Sequence, residues 1–535
     1  MRVLITFCLI VFLLPPLWAD DATLHQRIDQ LVLKSAAGTP PAARANDAEF
    51  CRRAWLDFAG HIPTAQATRE FLANSATDKR QKLVDDLLAA PTYSDRMADQ
   101  FHVLFMERRG ENADWKTYLK TSFAANKSWD QLAREVLNPD AENTESRAAG
   151  FFLSKRLENY GQNPIDYPGL TRDVARLFMG QDLQCAECHN HLLIEDYKQH
   201  DFQGLFAVYK NMFVRRDVTF PAVGEKAMPG KLEFVSVFDP TKRETGPRVP
   251  GGKEFDVPEP VKLSPEEVKK RAKNPPPRPE FSGVDLLAKE LANPENRQFA
   301  KNAVNRVWFL MLGRGIVHPL DMHHSANKPS QPELLELLTT EFAAHRFDLK
   351  WLLREIALSE TYQRSSQQID AAKPTDPGLF LVAHERRLSA EQILASVLKV
   401  SGEADRPAAP ASEKLELATA DQLRKGFVDA LANDARDPEE AVSATVKAAL
   451  FWRNDNLVQQ LLKRRTGNFT DRLMKQTDDA TVVDELYVSI LSRHPTTDEQ
   501  TELAAFLKRF PDAREATIRD AAWALLTSIE FGVNH

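Results

Sequence analysis

Cysteine is scarce in this chain: four in 535 residues. That excludes a small scaffold held by a framework of disulfides. Charge of one sign is not concentrated either. With 69 Lys and Arg against 76 Asp and Glu, the net charge is −7, and no large basic patch stands out, so nucleic acid is not an expected partner. Beyond the N-terminus no apolar run approaches the ~20 residues that a membrane helix needs. There is no Gly-rich phosphate loop, no G-x-S-x-G elbow and no H-E-x-x-H helix, which removes the familiar phosphate, serine-hydrolase and zinc-protease sites. No catalytic residue can be named, including a carboxylate pair for hydrolysis of a polymer. No regular internal repeat is visible, so a solenoid is not expected.

Against this background two of the four cysteines stand three positions apart. Cys185-Ala186-Glu187-Cys188-His189 is the attachment pattern of c-type haem. The spacing has a chemical reason: each thiol can add to one haem vinyl group, and His189 can reach the iron from the same side. Histidine is a normal axial ligand, and a second ligand tunes the potential. Met179, Met212, Met228 and His200 qualify for that second position by type alone.

The same residues admit other chemistry. Cys185, Cys188, His189 and His191 offer four donors of the kind zinc takes, with His189 and His191 as the imidazole pair. Asp196, His200 and Asp201 could support them from outside. Adjacent donors at 188 and 189 rarely share one small ion, however. A third option is a disulfide, or reduced thiols whose neighbouring histidines only hydrogen-bond. Thioredoxin-like redox work fits less well, since that motif opens a helix after a strand, and the flanks here read as helices.

The N-terminus reads as a secretory signal. Met1-Arg2 is a short positive start, Val3 to Leu14 is apolar, and Ala19 offers a small residue for cleavage over 1–19. Removing it leaves Cys51, Cys185 and Cys188 and changes the charge from −7 to −8 through loss of Arg2. A periplasmic or secreted location, with a redox protein of the cell envelope as partner, agrees with covalent haem. Cys51 lies in an apolar helical stretch and reads as a small buried hydrophobe.

The remaining chain predicts a mainly α protein. Residues 20–219 form an N-terminal helical domain, 220–280 a β-hairpin and Pro-rich linker, and 281–535 a C-terminal helical domain. Asn46 caps a helix with Phe50, Ala54 and Phe58 on one face. Leu83, Val84, Leu87 and Leu88 form the stripe of a helix over 77–90, with Pro91 as its stop. Further helices follow from Trp115 to Ala125 and from Trp129 to Leu137. Thr171 reads as the cap of a helix leading into the Cys motif, and a helix over Asp201 to Tyr209 follows the motif. Leu232 to Phe238 alternates as a strand, with a turn at Gly251-Gly252. The stretch over 258–280 and a second one from Arg406 to Ser412 are rich in proline. In the second half, Ala300 to Leu312, Pro332 to Ala344 and Leu349 to Leu358 read as helices. His323-His324, near His318, could bind metal or relay protons but reads rather as a surface turn or interdomain contact. Arg306, Trp308 and Arg314 could recognise an anion but read rather as helix-locking residues, with Asp321 or Glu333 as the acid. Glu385-Arg386-Arg387 with Glu391 reads as a charge cluster, and Ser365-Ser366 has no partners that suggest a nucleophile.

The chain resembles a family of planctomycete proteins that pair a cytochrome C-like N-terminal domain of unknown function with a C-terminal planctomycete-specific domain, also of unknown function. The resemblance lies in Phe50 to Asp57, in Lys79 to Val84, and in Arg176 to Gly180 running through Cys185 to His191. In the second half it lies in Asn305 to Trp308, Gly313 to Val317, Pro332 to Leu335, Thr361 to Ser366, Arg387 to Glu391 and Asn534-His535. It implies a secreted, mainly helical protein and no demonstrated activity. The word cytochrome in the family name rests on the same Cys-x-x-Cys-His pattern. The chain departs from the family at Asn190, where Asp is common.

Overall fold

A computed structural model describes residues 22–159, 161–258, 266, 278–368, 370, 373–404, 418–437 and 445–535. The expected signal segment 1–19, most of the Pro-rich stretch 258–280 and the stretch 406–412 lie outside the described residues.

The fold is mainly α. The first half holds α1 (Leu24–Ser35), α2 (Asp47–Phe58), α3 (Ala65–Ala73), α4 (Lys79–Ala89), α5 (Pro91–Met106), α6 (Ala113–Ala124), α7 (Trp129–Leu137), α8 (Gly150–Arg156), α9 (Tyr167–Val174) and α10 (Gln199–Tyr209). Two antiparallel pairs follow, β1 (Met212–Val214) with β2 (Val223–Glu225), and β3 (Leu232–Ser236) with β4 (Asp239–Thr245). The second half holds α11 (Gly283–Leu291), α12 (Arg297–Leu312), α13 (Pro332–Ala344), α14 (Leu349–Leu358), β5 (Arg386–Arg387) and α15 (Ala390–Ser401). It continues with α16 (Ala420–Leu431), α17 (Val446–Asn454), α18 (Asn456–Leu462), α19 (Phe469–Met474), α20 (Asp479–Leu491), α21 (Thr497–Arg509), α22 (Arg514–Leu526) and β6 (Val533–Asn534), which pairs with β5.

Caps and apolar periodicity explain most boundaries. The Asn46 side chain accepts from the Glu49 N–H, and Phe50, Ala54 and Phe58 are fully buried. Three readings change. Pro91 opens α5 at its first turn as well as ending α4, because its missing N–H costs nothing there. Thr171 lies inside α9: the helix starts at Tyr167, capped by Asp166, and the Thr171 hydroxyl donates to the Tyr167 carbonyl. The hairpin strands are Leu232–Ser236 and Asp239–Thr245, joined at Val237-Phe238, whereas Gly251-Gly252 forms a separate turn, with the Gly252 N–H donating to the Val249 carbonyl at 2.8 Å.

Buried hydrophobes form two clusters. The larger runs from Leu24 to Leu381 and includes α11 to α14, so it draws on both halves of the chain. At its centre the rings of Phe105, Trp129, Phe178 and Phe299 pack on one another, the Phe105–Trp129 pair parallel at 6.1 Å. The smaller cluster gathers 388–531 and borrows Leu56 and Ile62 from the first half. Cys51 is buried in the larger one.

Candidate functional site

The Cys motif hangs from a stem made by both halves. After α9 the chain widens into a π turn at Ala175–Met179, which ends at Gly180 with φ +65°. Such a turn leaves carbonyls without helical partners. α12 supplies them from one face, at four-residue spacing. Gln298 donates to the Met179 carbonyl (2.6 Å) and Asn302 to that of Leu177 (2.8 Å), while Arg306 adds a second donor (2.8 Å) to the Arg176 carbonyl, which also accepts from the Gly180 N–H at 3.0 Å. The loop after α12 adds backbone pairing. His323 N–H donates to the Gly180 carbonyl at 3.0 Å, and Asp182 N–H to that of Asp321 at 2.9 Å. Gly180 is required here, since a Cβ would stand 2.6 Å from the His323 ring and 2.7 Å from Asn302 Oδ1. Charges lock the same joint. Arg176 pairs with Glu107, Asp173 and Asp321, and Arg306 pairs with Asp321.

The motif itself is a short 3₁₀ turn, Cys185–Glu187, followed by a loop to α10. Its backbone is held from two sides. Gln203 of α10 donates to the Glu187 carbonyl at 2.8 Å, and the Val237 N–H at the hairpin tip donates to that of Cys188 at 3.1 Å. Asn190 Oδ1 accepts from the Gln199 N–H at the start of α10 (2.9 Å), a task that an amide performs without a carboxylate. Cys185 and Cys188 are both free and exposed.

The two histidines differ in a way that decides their chemistry. His189 Nδ1 lies 2.7 Å from the Asn190 carbonyl oxygen, which can only accept. Nδ1 therefore carries the proton, and Nε2 keeps its lone pair for a ligand. His191 is the reverse. Its Nδ1 accepts from the N–H groups of Leu193 (3.1 Å) and Ile194 (3.0 Å), so a neutral ring holds its proton on Nε2 and offers no lone pair outward. His191 thus braces the loop and is not set up as a metal ligand. Among the described residues no group of three or more His, Cys, Asp or Glu is arranged to hold a metal ion. Asp196 is engaged by Ser325, and Asp201 is buried beside His200.

Large hydrophobes are exposed on the Cys loop and on the hairpin tip that holds it. Leu192 and Leu193 are 72% and 85% exposed, and Val237 and Phe238 at the hairpin tip are 67% and 68% exposed. The Phe238 ring packs on that of His189 at 4.8 Å. Single exposed hydrophobes need no explanation, but several beside one reactive loop mark a contact or ligand surface.

Of the residues offered as a second axial ligand, Met179, Met212 and Met228 are buried. The Met179 sulfur accepts from Asn296 at 3.7 Å, and that of Met228 lies 2.8 Å from where a Gly283 Cβ would stand. His200 is exposed. His323-His324 is an interdomain contact: the Tyr197 hydroxyl donates to the His323 carbonyl at 3.3 Å, and the His324 ring packs on Tyr197. Burial, helped by Arg306, Lys301 and His324, pushes the His323 pKa down to about 3. Arg306 takes Asp321 as its acid, and Glu333 pairs with Lys34. Glu391 pairs with Arg108, and Ser365 donates to Glu49. The contacts of Gln298 and Asn302 escaped sequence reasoning; their only signal is polar residues at four-residue spacing in a strongly apolar helix.

The PSCyt2 family model, a protein of unknown function (DUF1549), matches residues 27–213. The PSD1 model, a protein of unknown function (DUF1553), matches residues 285–426. No curated protein and no solved structure matches the chain.

Proposed function

Since the chain belongs to the family that pairs PSCyt2 with PSD1, two domains of unknown function, its role must be read from its own side chains, and we propose that it is an exported c-type haem protein that passes electrons to or from a redox partner in the cell envelope. Cys185 and Cys188 would hold the haem through two thioethers, and His189 would supply an imidazole to its iron. The observation that carries this reading is the state of the three residues: two exposed free thiols, and beside them an imidazole whose proton is fixed on Nδ1. Thioether formation needs the thiols reduced. Each S–H would add across a vinyl C=C, the sulfur bonding one carbon and the hydrogen going to the other, so no oxidant would be consumed. Haem supplies one-electron chemistry at its iron. The chain supplies orientation and desolvation. Asn190 fixes the imidazole, Gln203 and Val237 fix the loop, and Leu192, Leu193 and Phe238 provide apolar surface suited to a flat apolar ring.

Among the described residues no helix is long and apolar enough to cross a membrane. Export rests on the signal-like segment 1–19.

The test is co-expression of the full chain with haem-attachment machinery. The expected product is red, with a Soret band and a Cys185–Cys188 peptide heavier by one porphyrin. His191→Ala retains the chromophore, whereas His189→Ala loses or shifts the Soret band. A matured protein with both thiols unmodified would overturn the reading. It would favour an exported helical scaffold whose apolar rim at Leu192, Leu193 and Phe238 docks another protein.

A further inference from the structure

Where the smaller core meets the larger, a cavity of about 300 Å³ opens between α5, the end of α12, the β5–β6 pair and the start of α15. Asp57, Asp99, Glu385 and Glu391 line it with Arg96, Arg386 and Arg387, and Glu385 and Arg387 face solvent at its rim. Asp57 is satisfied by Arg386 (2.8 Å), the Tyr362 hydroxyl (2.8 Å) and Asn534 Nδ2 (2.9 Å). Glu391 is taken by Arg108 and Asp99 by Arg424. Arg386 is further held by the Leu310 carbonyl at the end of α12. Gly313 permits that approach, since a Cβ there would stand 2.7 Å from Arg386 Cγ.

Arg96 is left over. Among the described residues it has no ion pair and no hydrogen bond, and its Nε is sealed from solvent without an acceptor. Across the same cavity Asn534 Oδ1 is also buried and lacks a donor. The half-buried Arg96 has Asp57, Asp99 and Glu391 acting on it only from beyond ion-pair distance, and a sealed Nε and an unpaired buried carbonyl oxygen are each costly. One ligand can satisfy both: an anion for Arg96 and a donor for Asn534. Val103, Phe309 and Leu310 add apolar wall. The volume lies at the small end of the ligand-pocket range of about 300–1,000 Å³, which suits a metabolite rather than a polymer.

We propose that this cavity binds a small organic carboxylate bearing a hydroxyl or ammonium group, with the carboxylate on Arg96 and the donor on Asn534 Oδ1. The site is separate from the Cys motif and does not depend on haem.

The test is calorimetric titration of the full chain with D-gluconate and with L-glutamine, which separate the hydroxyl and ammonium sources. D-sorbitol serves as the control without a carboxylate, and hexanoate as the control without a donor. At least one of the first two binds, and both controls bind more weakly. Arg96→Met lowers the affinity about tenfold to a hundredfold, the cost of one charge-assisted contact. It also leaves the thermal midpoint level or higher, because the guanidinium has no partner to lose. The proposal is overturned if neither acid binds, if sorbitol matches gluconate, or if Arg96→Met binds as the wild type does. A large fall in its midpoint would also overturn it, because Arg96 would then be a structural counter-ion.

Discussion

Asp173 is the residue whose loss should be felt most in the joint behind the Cys motif. It lies on α9 with a side chain 13% exposed, 2.8 Å from Arg156, 3.0 Å from Arg109 and 3.2 Å from Arg176. Burial alone would raise its pKa. The guanidinium groups of Arg156, Arg109 and Arg176 outweigh burial and bring it from 3.8 to about 2. That drop corresponds to about 2–3 kcal/mol of folding free energy. Its sign follows from the direction. The contribution is complete above the unfolded value of 3.8 and is lost as pH falls through about 2. Asp173→Asn should cost more than this at neutral pH, because Arg156 stays buried, its own pKa already pulled down to about 10 by desolvation. Breaking a buried pair from one side costs about 3–5 kcal/mol. Arg156 also donates to the Phe105 and Phe152 carbonyls, so the lower end of that range applies. Urea unfolding followed by tryptophan fluorescence measures it, since Trp115 and Trp129 pack on Phe105 in the same core. Asp173→Leu combined with Arg156→Met should recover most of the loss, because both desolvated charges are gone. A single variant that loses under about 1 kcal/mol, or a double variant no better than the single, would refute the reasoning.

Two further outcomes are expected. His323, held down to about 3 by burial and the nearby Arg306, Lys301 and His324, stays neutral, so its NMR ring signals show no inflection near 6.5. The stability that depends on its neutral state is complete above 6.5 and fades as pH falls towards 3; an ordinary titration curve would contradict this. Gly180→Ala forces a left-handed φ of +65° on a side chain and drives it into His323 and Asn302. It should cost about 2–3 kcal/mol in unfolding experiments and lower the yield of haem attachment; wild-type stability would sink this account of the turn.

The sequence made the mainly α fold legible because helix signals are local. Asn46 before an acidic first turn, Pro91 beside an apolar stripe and Gly313 after Val307-Trp308 each mark an end without reference to the rest of the chain. The boundaries of α13 and α14 could be read to the residue. The start of α9 could not, because Thr171 and Asp166 are both acceptable caps, and the choice falls to Asp166 just ahead of Pro168 at the helix start. The Cys motif was equally visible, but the different tasks of His189 and His191 were not. They depend on which backbone groups meet each Nδ1, and that is set by how the loop closes onto α10. The pair β5–β6 was invisible for the opposite reason: its strands are two residues each and lie far apart in sequence.

The joint between the halves bears on what the second half is for. A redox module able to fold alone would satisfy the carbonyls of its own stem. Here those of Leu177 and Met179 are satisfied by α12, and that of Gly180 is paired by His323. Buried carbonyls stripped of such partners would each carry a desolvation penalty. The first half by itself would therefore keep its Cys-x-x-Cys-His text and lose the stem that aims it. The second half acts on the candidate haem site as a structural clamp, whatever else it binds. The cavity beside Arg96 places a ligand-sized space against both cores, at the seam where α5 and α12 of the larger meet α15 of the smaller. A ligand there would add contacts across that seam, so occupancy and the rigidity of the clamp on α12 would rise together.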